Sequence, residues 1–123
     1  MRKPLLLVVA GIATLVVATT AFGQSSSTPK LVGTVGPGFS IKLTKGGAKV
    51  KSLKAGKYTF AITDKSSIHN FTLEQEKGGK FEKHLTGTSF TGKKTATVTL
   101  KKGKWKYYCS NHEAEMFGFV TVK

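Results

Sequence analysis

The most informative part of this chain is the stretch WKYYCSNHEAEM, residues 105–116. Its first residues alternate in polarity as a β-strand does, and the remainder, Cys109 to Met116, gathers the only cysteine, a histidine and a methionine. A thiolate, an imidazole and a thioether form a soft ligand set of sulfur and nitrogen, which suits copper better than other common biological metals. The set is one donor short, so a further ligand must come from another part of the chain.

The parity of the preceding strand indicates where the thiol points. Successive side chains of a strand face opposite sides of the sheet. Cys109 shares its parity with Trp105 and Tyr107, the bulky pair expected in the core. The sulfur should therefore point inward at the end of this strand.

The same argument selects a second histidine. His69 has the parity of the apolar residues Phe71 and Leu73, so its ring should enter the core at the start of another strand. His84 lies in the irregular segment 74–94, and we expect an ordinary surface residue there. The cysteine-containing stretch needs one more strong donor, and His69 is the histidine that can supply it.

The predicted ligands are thus His69, Cys109, His112 and Met116. Two imidazoles and a thiolate in a trigonal arrangement, with a weak axial thioether, are typical of a blue copper electron-transfer site. Zinc would accept the cysteine and the histidines but has little use for a methionine. Glu115 is an alternative axial ligand, and the softer Met116 is favoured over it.

The first 23 residues are predicted to be a signal peptide. Arg2 and Lys3 form a basic head, an apolar run follows over 5–18, and small residues precede Gln24, the expected mature start. An uncleaved, helical membrane anchor is the alternative, which leaves the protein membrane-attached. Export to the periplasm or the cell exterior is favoured, and there a single cysteine without a disulfide partner needs an occupant such as a metal.

Charge narrows the range of partners. Without Arg2 and Lys3, the formal charge falls from +14 to +12 and no arginine remains. Arginine is the residue that readers of nucleic acids favour, so nucleic-acid binding is not expected. The lysines are scattered through the chain, which is typical of a solvated surface rather than a dedicated polyanion site. Such a surface would still favour acidic proteins, anionic membranes or anionic cell-wall polymer.

The rest of the chain predicts an all-β fold. Apolar and polar residues alternate over 39–44, 58–63, 95–101 and 119–123, and glycine-rich turns separate these segments. Short alternating strands with regular turns indicate an antiparallel Greek-key β-sandwich or barrel. The predicted organisation is a signal helix over 1–23, a polar linker over 24–30 and one domain over 31–123.

Two segments resemble the cupredoxins, the family of small blue copper proteins that includes plastocyanin and azurin. They are SIHNF at 67–71 and GKWKYYCSNH at 103–112, the latter followed by Met116 and GFV at 118–120. The similarity extends over about the whole mature domain. It implies the cupredoxin fold and one copper ion held by His69, Cys109, His112 and Met116.

The resemblance also implies roles for neighbours of the ligands. Asn70 is expected to brace the ligand loop, donating its backbone N–H to the cysteine sulfur, with Ser110 beside it. The loop departs from the family, because two residues separate Cys109 from His112, as in plastocyanin, and three separate His112 from Met116, as in azurin. Acidic residues also stand where many members keep an apolar docking surface.

The leading functional hypothesis is a monomeric one-electron carrier that exchanges electrons through the exposed edge of His112 with an acidic redox partner. The alternative is a protein for copper delivery or storage with an exchangeable site. Catalysis is not expected. Copper enzymes need further histidine-rich centres, and His112 is poorly placed as a base for Cys109 on its own loop.

Overall fold

The structure is a computed structural model that describes residues 27–123. The predicted signal segment, with its expected helix, and the first linker residues lie outside the described residues. The described part is all-β and has no helix, hence none that could span a membrane. Its strands are β1 Lys30–Val35, β2 Ile41–Lys45, β3 Ala48–Lys49, β4 Ser52–Leu53, β5 Gly56–Asp64, β6 Thr72–Lys77, β7 Glu82–His84, β8 Gly92–Leu100, β9 Gly103–Tyr108 and β10 Phe117–Val122.

The strands form two five-stranded sheets. The first sheet has the order β3-β2-β1-β5-β8 and the second sheet the order β4-β10-β9-β6-β7. The predicted all-β sandwich is confirmed. Its sheets are mixed rather than antiparallel throughout, since β1–β5 and β4–β10 are parallel. Between β1 and β5 the chain makes a hairpin and then adds β4 to the second sheet. It therefore re-enters the first sheet in the direction of β1.

The core follows the predicted alternation along most strands. Tyr58, Phe60 and Ile62 of β5 are buried, and the residues between them are partly exposed. Phe39 is an exception, because 59% of its surface is exposed and it precedes β2 rather than extending its inward face. The preceding glycine–proline–glycine turn ends the strand pattern before this residue is reached.

Strand register brings three connections to one end of the sandwich. Thr72 at the start of β6 and Phe117 at the start of β10 both pair with Tyr108, the last residue of β9. In the first sheet, the final residues of β1 and β5 pair as Val35 with Asp64. The connections 36–40, 65–71 and 109–116 therefore share one end of the molecule, which we call the loop pole.

The segment 74–94 consists of the end of β6, the edge strand β7, a connection and the start of β8. After β6, the Gly78–Gly79 turn reverses the chain into the short strand β7, which pairs with β6. Gly78 has a φ of 96°, and a Cβ there would lie 2.7 Å from the carbonyl oxygen of Lys102. This turn places His84 beside the start of β6, near the loop pole.

The substitution Gly33→Ala is expected to lower the free energy of unfolding by about 1–3 kcal/mol, the usual cost of overpacking a core. A Cβ at position 33 would meet Ile62 Cδ1 and would lie 2.9 Å from Phe71 Cε2. Urea unfolding measures the change. Gly87→Ala is the matched control, because a Cβ there meets nothing within 4 Å. Equal stability of the two variants would contradict this packing.

Candidate metal centre

The structure brings His69, Cys109 and His112 together at the loop pole. Their ligand atoms all lie within 4.8 Å of one another. Cys109 Sγ is 3.7 Å from the Nδ1 atoms of both His69 and His112, and those two Nδ1 atoms are 3.0 Å apart. Cys109 and His69 are buried, as strand parity predicted, and His112 is half-buried.

These separations fit a single bound metal ion. Donors that share one ion at about 2.0–2.3 Å lie roughly 3.5–4 Å apart in a trigonal site. The two sulfur–nitrogen distances have this length, and the two imidazoles need to separate by roughly half an ångström. A thiolate with two neutral imidazoles suits copper or zinc and not the oxygen-seeking ions calcium and magnesium.

The loop that carries His112 is closed by its own backbone. Cys109 N–H donates to the carbonyl of Met116 at 3.0 Å, and His112 N–H donates to the carbonyl of Cys109 at 3.1 Å. Met116 N–H and Glu115 N–H both donate to the carbonyl of His112. These backbone bonds close the loop and hold His112 close to Cys109.

The two axial candidates differ in burial. Met116 is 1% exposed and belongs to the core cluster that includes Cys109, whereas Glu115 is exposed at the surface of the loop. A buried carboxylate would need a partner for its charge, and a thioether needs none. Burial therefore agrees with Met116 as the inward residue of the pair.

Asn70 ties the segment of His69 to the segment of Cys109. Its buried side chain accepts at Oδ1 from the backbone N–H of Ser110 at 2.8 Å and from the Ser110 hydroxyl at 3.2 Å. The brace that the resemblance implied is thus made by the side chain of Asn70. The further bond implied from the Asn70 backbone N–H to the cysteine sulfur stays a prediction.

A second buried contact holds the strand that follows His69. The Thr86 hydroxyl accepts from the backbone N–H of Phe71 at 2.8 Å and donates to Asp64 Oδ2 at 3.0 Å. Burial raises the pKa of Asp64 above its ordinary value. Hydrogen bonds from Ser66 N–H and Thr86, and the charge of His69, oppose that rise.

Apolar side chains surround the exposed edge of the site. The Phe39 ring lies 5.1 Å from the ring of His69 and 5.0 Å from that of His112, measured between centroids. Ile68, next to His69, is 58% exposed. Sequence reasoning missed Phe39 here because its period-two spacing with Ile41 suggested a core position, although the glycine–proline–glycine turn was a signal against it.

Charge is distributed unevenly between the two sheets. The only acid in the strands of the first sheet is the buried Asp64, while these strands carry the exposed lysines Lys30, Lys42, Lys45, Lys49, Lys57, Lys93 and Lys94. All the glutamates lie on the second sheet and the ligand loop. One of them, Glu113, forms a salt bridge of 2.7 Å with Lys106.

Tyr108 joins two further glutamates on the second sheet. Its hydroxyl donates to Glu82 at 2.9 Å and lies 3.3 Å from Glu74. Burial raises the pKa of Tyr108, and the bond to Glu82 and the nearby carboxylates raise it further. The residue before Cys109 is therefore held as a neutral phenol.

Comparison with solved structures shows the fold of this chain. The copper protein rusticyanin is 23% identical, with a TM-score of 0.54 and coverage of 80% of each chain. Rusticyanin from Thiobacillus ferrooxidans is 24% identical, with a TM-score of 0.51 and coverage of 80% of this chain and 79% of its own. A reduced Cu(I) form of amicyanin at pH 4, from a variant protein, is 16% identical, with a TM-score of 0.51 and coverage of 80% and 87%.

No family model matches the chain, and no curated protein matches it. At these identities the likeness to rusticyanin and amicyanin establishes the fold of this chain and nothing further. The chain has the cupredoxin fold that the resemblance predicted.

The raised pKa of Asp64 predicts a particular pH dependence in the metal-free protein. Between 3.8, the ordinary value, and the higher pKa of the folded state, the folded chain binds more protons than the unfolded chain. The free energy of unfolding contributed by this group therefore falls as the pH rises through that window. Asp64→Asn should lack this fall. Urea unfolding at several pH values measures the difference, with Glu115→Gln as the exposed control, and parallel curves for wild type and Asp64→Asn would contradict the prediction.

Proposed function

We propose that this protein is an exported, mononuclear blue copper protein that carries one electron at a time. The observation that carries the proposal is the convergence of one thiol sulfur and two imidazole nitrogens within 4.8 Å, on a fold shared with the copper protein rusticyanin. Amicyanin, which shares the fold as well, has a reduced Cu(I) form.

His69, Cys109 and His112 would hold the ion, with Met116 as the fourth, weaker donor. Bound copper supplies a centre that alternates between Cu(I) and Cu(II), and nitrogen and sulfur donors together accept both states. The protein keeps these donors in place through burial of Cys109 and His69 and through the closed backbone of the ligand loop. Little rearrangement is then needed when the charge changes.

Burial of the site supports the carrier over the alternative of copper delivery or storage. A delivery protein needs an accessible, exchangeable site, whereas Cys109 is fully buried and His69 is 1% exposed. His112 is the ligand nearest to solvent, and exposed apolar side chains of Phe39 and Ile68 lie around it. This edge suits a brief contact with a redox partner, so the carrier is favoured.

The partner we propose is an acidic redox protein that docks near His112. The formal charge of the chain supports it, as do the exposed lysines of the first sheet. An anionic membrane or cell-wall surface is a further candidate partner. The basis for export is the apolar segment near the N-terminus and the single cysteine.

We propose no enzymatic activity, and we propose that the protein acts as a monomer. The third histidine, His84, contacts Asn70 and Thr72 rather than further metal-ligating groups. A second copper centre would need several additional histidines, and the chain has none to offer.

Addition of Cu(II) to the full chain should produce one intense visible absorption band, saturating at one equivalent, that bleaches on reduction and returns on reoxidation. Cys109→Ser should abolish the band, because a hydroxyl is not a soft thiolate donor. Asn111→Ser, an exposed change on the same loop, should keep it. A colourless Cu(I)-only complex that loses its metal to a chelator would favour the delivery alternative instead.

The axial ligand is tested by a pair of variants. Met116→Leu nearly conserves volume, so it should cost less than about 1.5 kcal/mol in stability while shifting the reduction potential upward, because the axial ligand tunes the potential. Glu115→Gln should leave the potential in place. Voltammetry of both loaded variants measures this, and the reverse pattern would identify Glu115 as the ligand.

A further inference from the structure

The side chain of His84 contacts two buried residues, although His84 itself is an exposed residue of an edge strand. Its Nδ1 atom lies 3.0 Å from Asn70 Nδ2 and 2.9 Å from Thr72 Oγ1. The register of β6 and β7, which pairs Thr72 with His84, holds the imidazole at this position. These bonds do not join His84 to any of the predicted ligands. An effect of His84 on the site must therefore act through Asn70.

The hydrogen bonds of Asn70 determine how the imidazole must act. A backbone N–H can only donate, so the Asn70 atom 2.8 Å from Ser110 N must be the amide oxygen. The amide nitrogen must then face His84, and because it donates, Nδ1 of His84 must accept. The imidazole of His84 must therefore carry its proton on Nε2 and leave Nδ1 free to accept.

The same geometry gives Thr72 a supporting part. Its hydroxyl can rotate and donate to His84 Nδ1 as well, sharing the one lone pair of that nitrogen with the Asn70 amide. Leu85 N–H also donates to the carbonyl of Phe71 at 2.7 Å, which keeps the chain after His84 against the chain after Asn70. The imidazole, the carboxamide and Ser110 thus form one chain of hydrogen bonds that ends beside Cys109.

We propose that His84 is a positioning residue of the metal centre. Its Nδ1 atom holds the Asn70 carboxamide in the one orientation in which Oδ1 can accept the hydrogen bond from Ser110 N–H. This bond fixes the backbone at Ser110, directly after Cys109. The proposal deepens the proposed copper site and rests on it for its functional meaning. Without the acceptor at His84, a buried amide N–H₂ would lack a partner, and rotation of the amide would withdraw the oxygen from Ser110.

Two substitutions separate the acceptor from the shape of the ring. His84→Phe keeps a ring of similar size and removes the acceptor. His84→Asn should restore the function, because its Oδ1 is as many bonds from Cβ as Nδ1 is in histidine. Lys83→Ala is the matched control, since Lys83 is an exposed neighbour on the same strand.

The main measurement is hydrogen exchange of the Ser110 amide in the full, metal-free chain. We expect His84→Phe to accelerate this exchange by about tenfold, roughly the protection that one hydrogen bond of ordinary net strength gives. His84→Asn and Lys83→Ala should stay near wild type. In the copper-loaded proteins, the visible band should shift in His84→Phe and return in His84→Asn.

Unchanged Ser110 exchange in His84→Phe would overturn the proposal, and so would equal acceleration in His84→Phe and His84→Asn. If His84→Phe does not fold, ¹⁵N chemical shifts of the His84 ring in the wild-type chain decide the matter. A proton on Nδ1 at neutral pH would overturn the proposal, and a proton on Nε2 alone would support it. The hydrogen-exchange and ¹⁵N measurements need no metal, so they test the role of His84 even in a chain that does not bind copper. Failure to bind copper would refute the proposed function alone.

Discussion

The inward direction of the Cys109 thiol is the constraint on which the loop pole depends. Cys109 follows Trp105 and Tyr107 on the buried face of β9, and the strand ends one residue before it. The chain must then return to pair β10 with β9, and the bond from Cys109 N–H to the Met116 carbonyl closes that return. A loop this short leaves His112 directly above the sulfur and turns Met116 back into the core.

Buried polar groups around this loop limit how the neighbouring segments can move. Asn70, Asp64 and Thr86 are each buried, and each has hydrogen-bond partners among the described residues. A buried donor or acceptor without a partner costs about 1–3 kcal/mol. Displacement of one segment would therefore leave a buried group of the neighbouring segment without its hydrogen bond. The bonds of Thr86 and Asn70 therefore couple the segment of His69 to β7 and to the ligand loop. Donors held in this way would need to move only a little to share one metal ion.

Local patterns predicted those parts of the site that depend on strand parity. The inward directions of Cys109 and His69 follow from alternation along single strands, and the structure agrees with both. Parity within one strand carries no information about which strands pair, so the parallel pairing of β1 with β5 was missed. His84 illustrates the same limit. Its contact with Asn70 depends on a turn at Gly78 and on the register of β7, both of which lie far in sequence from the motif on which the predicted ligands rest.

The arrangement of charge bears on how a proposed acidic partner would reach His112. Lysines on the first sheet and the net charge act at long range, but at physiological ionic strength the Debye length is about 8 Å, so the contact itself is decided by nearby groups. Near the loop pole, Glu113 is paired with Lys106, and the exposed Glu115 and Lys65 have opposite charges, which gives an acidic partner little net local attraction. Apolar side chains contribute to the same surface, since the Phe39 ring packs on His112 and Ile68, which precedes His69, is exposed. Long-range attraction without a strong local ion pair favours fast encounter and fast release, which is what a carrier that must leave after each electron requires.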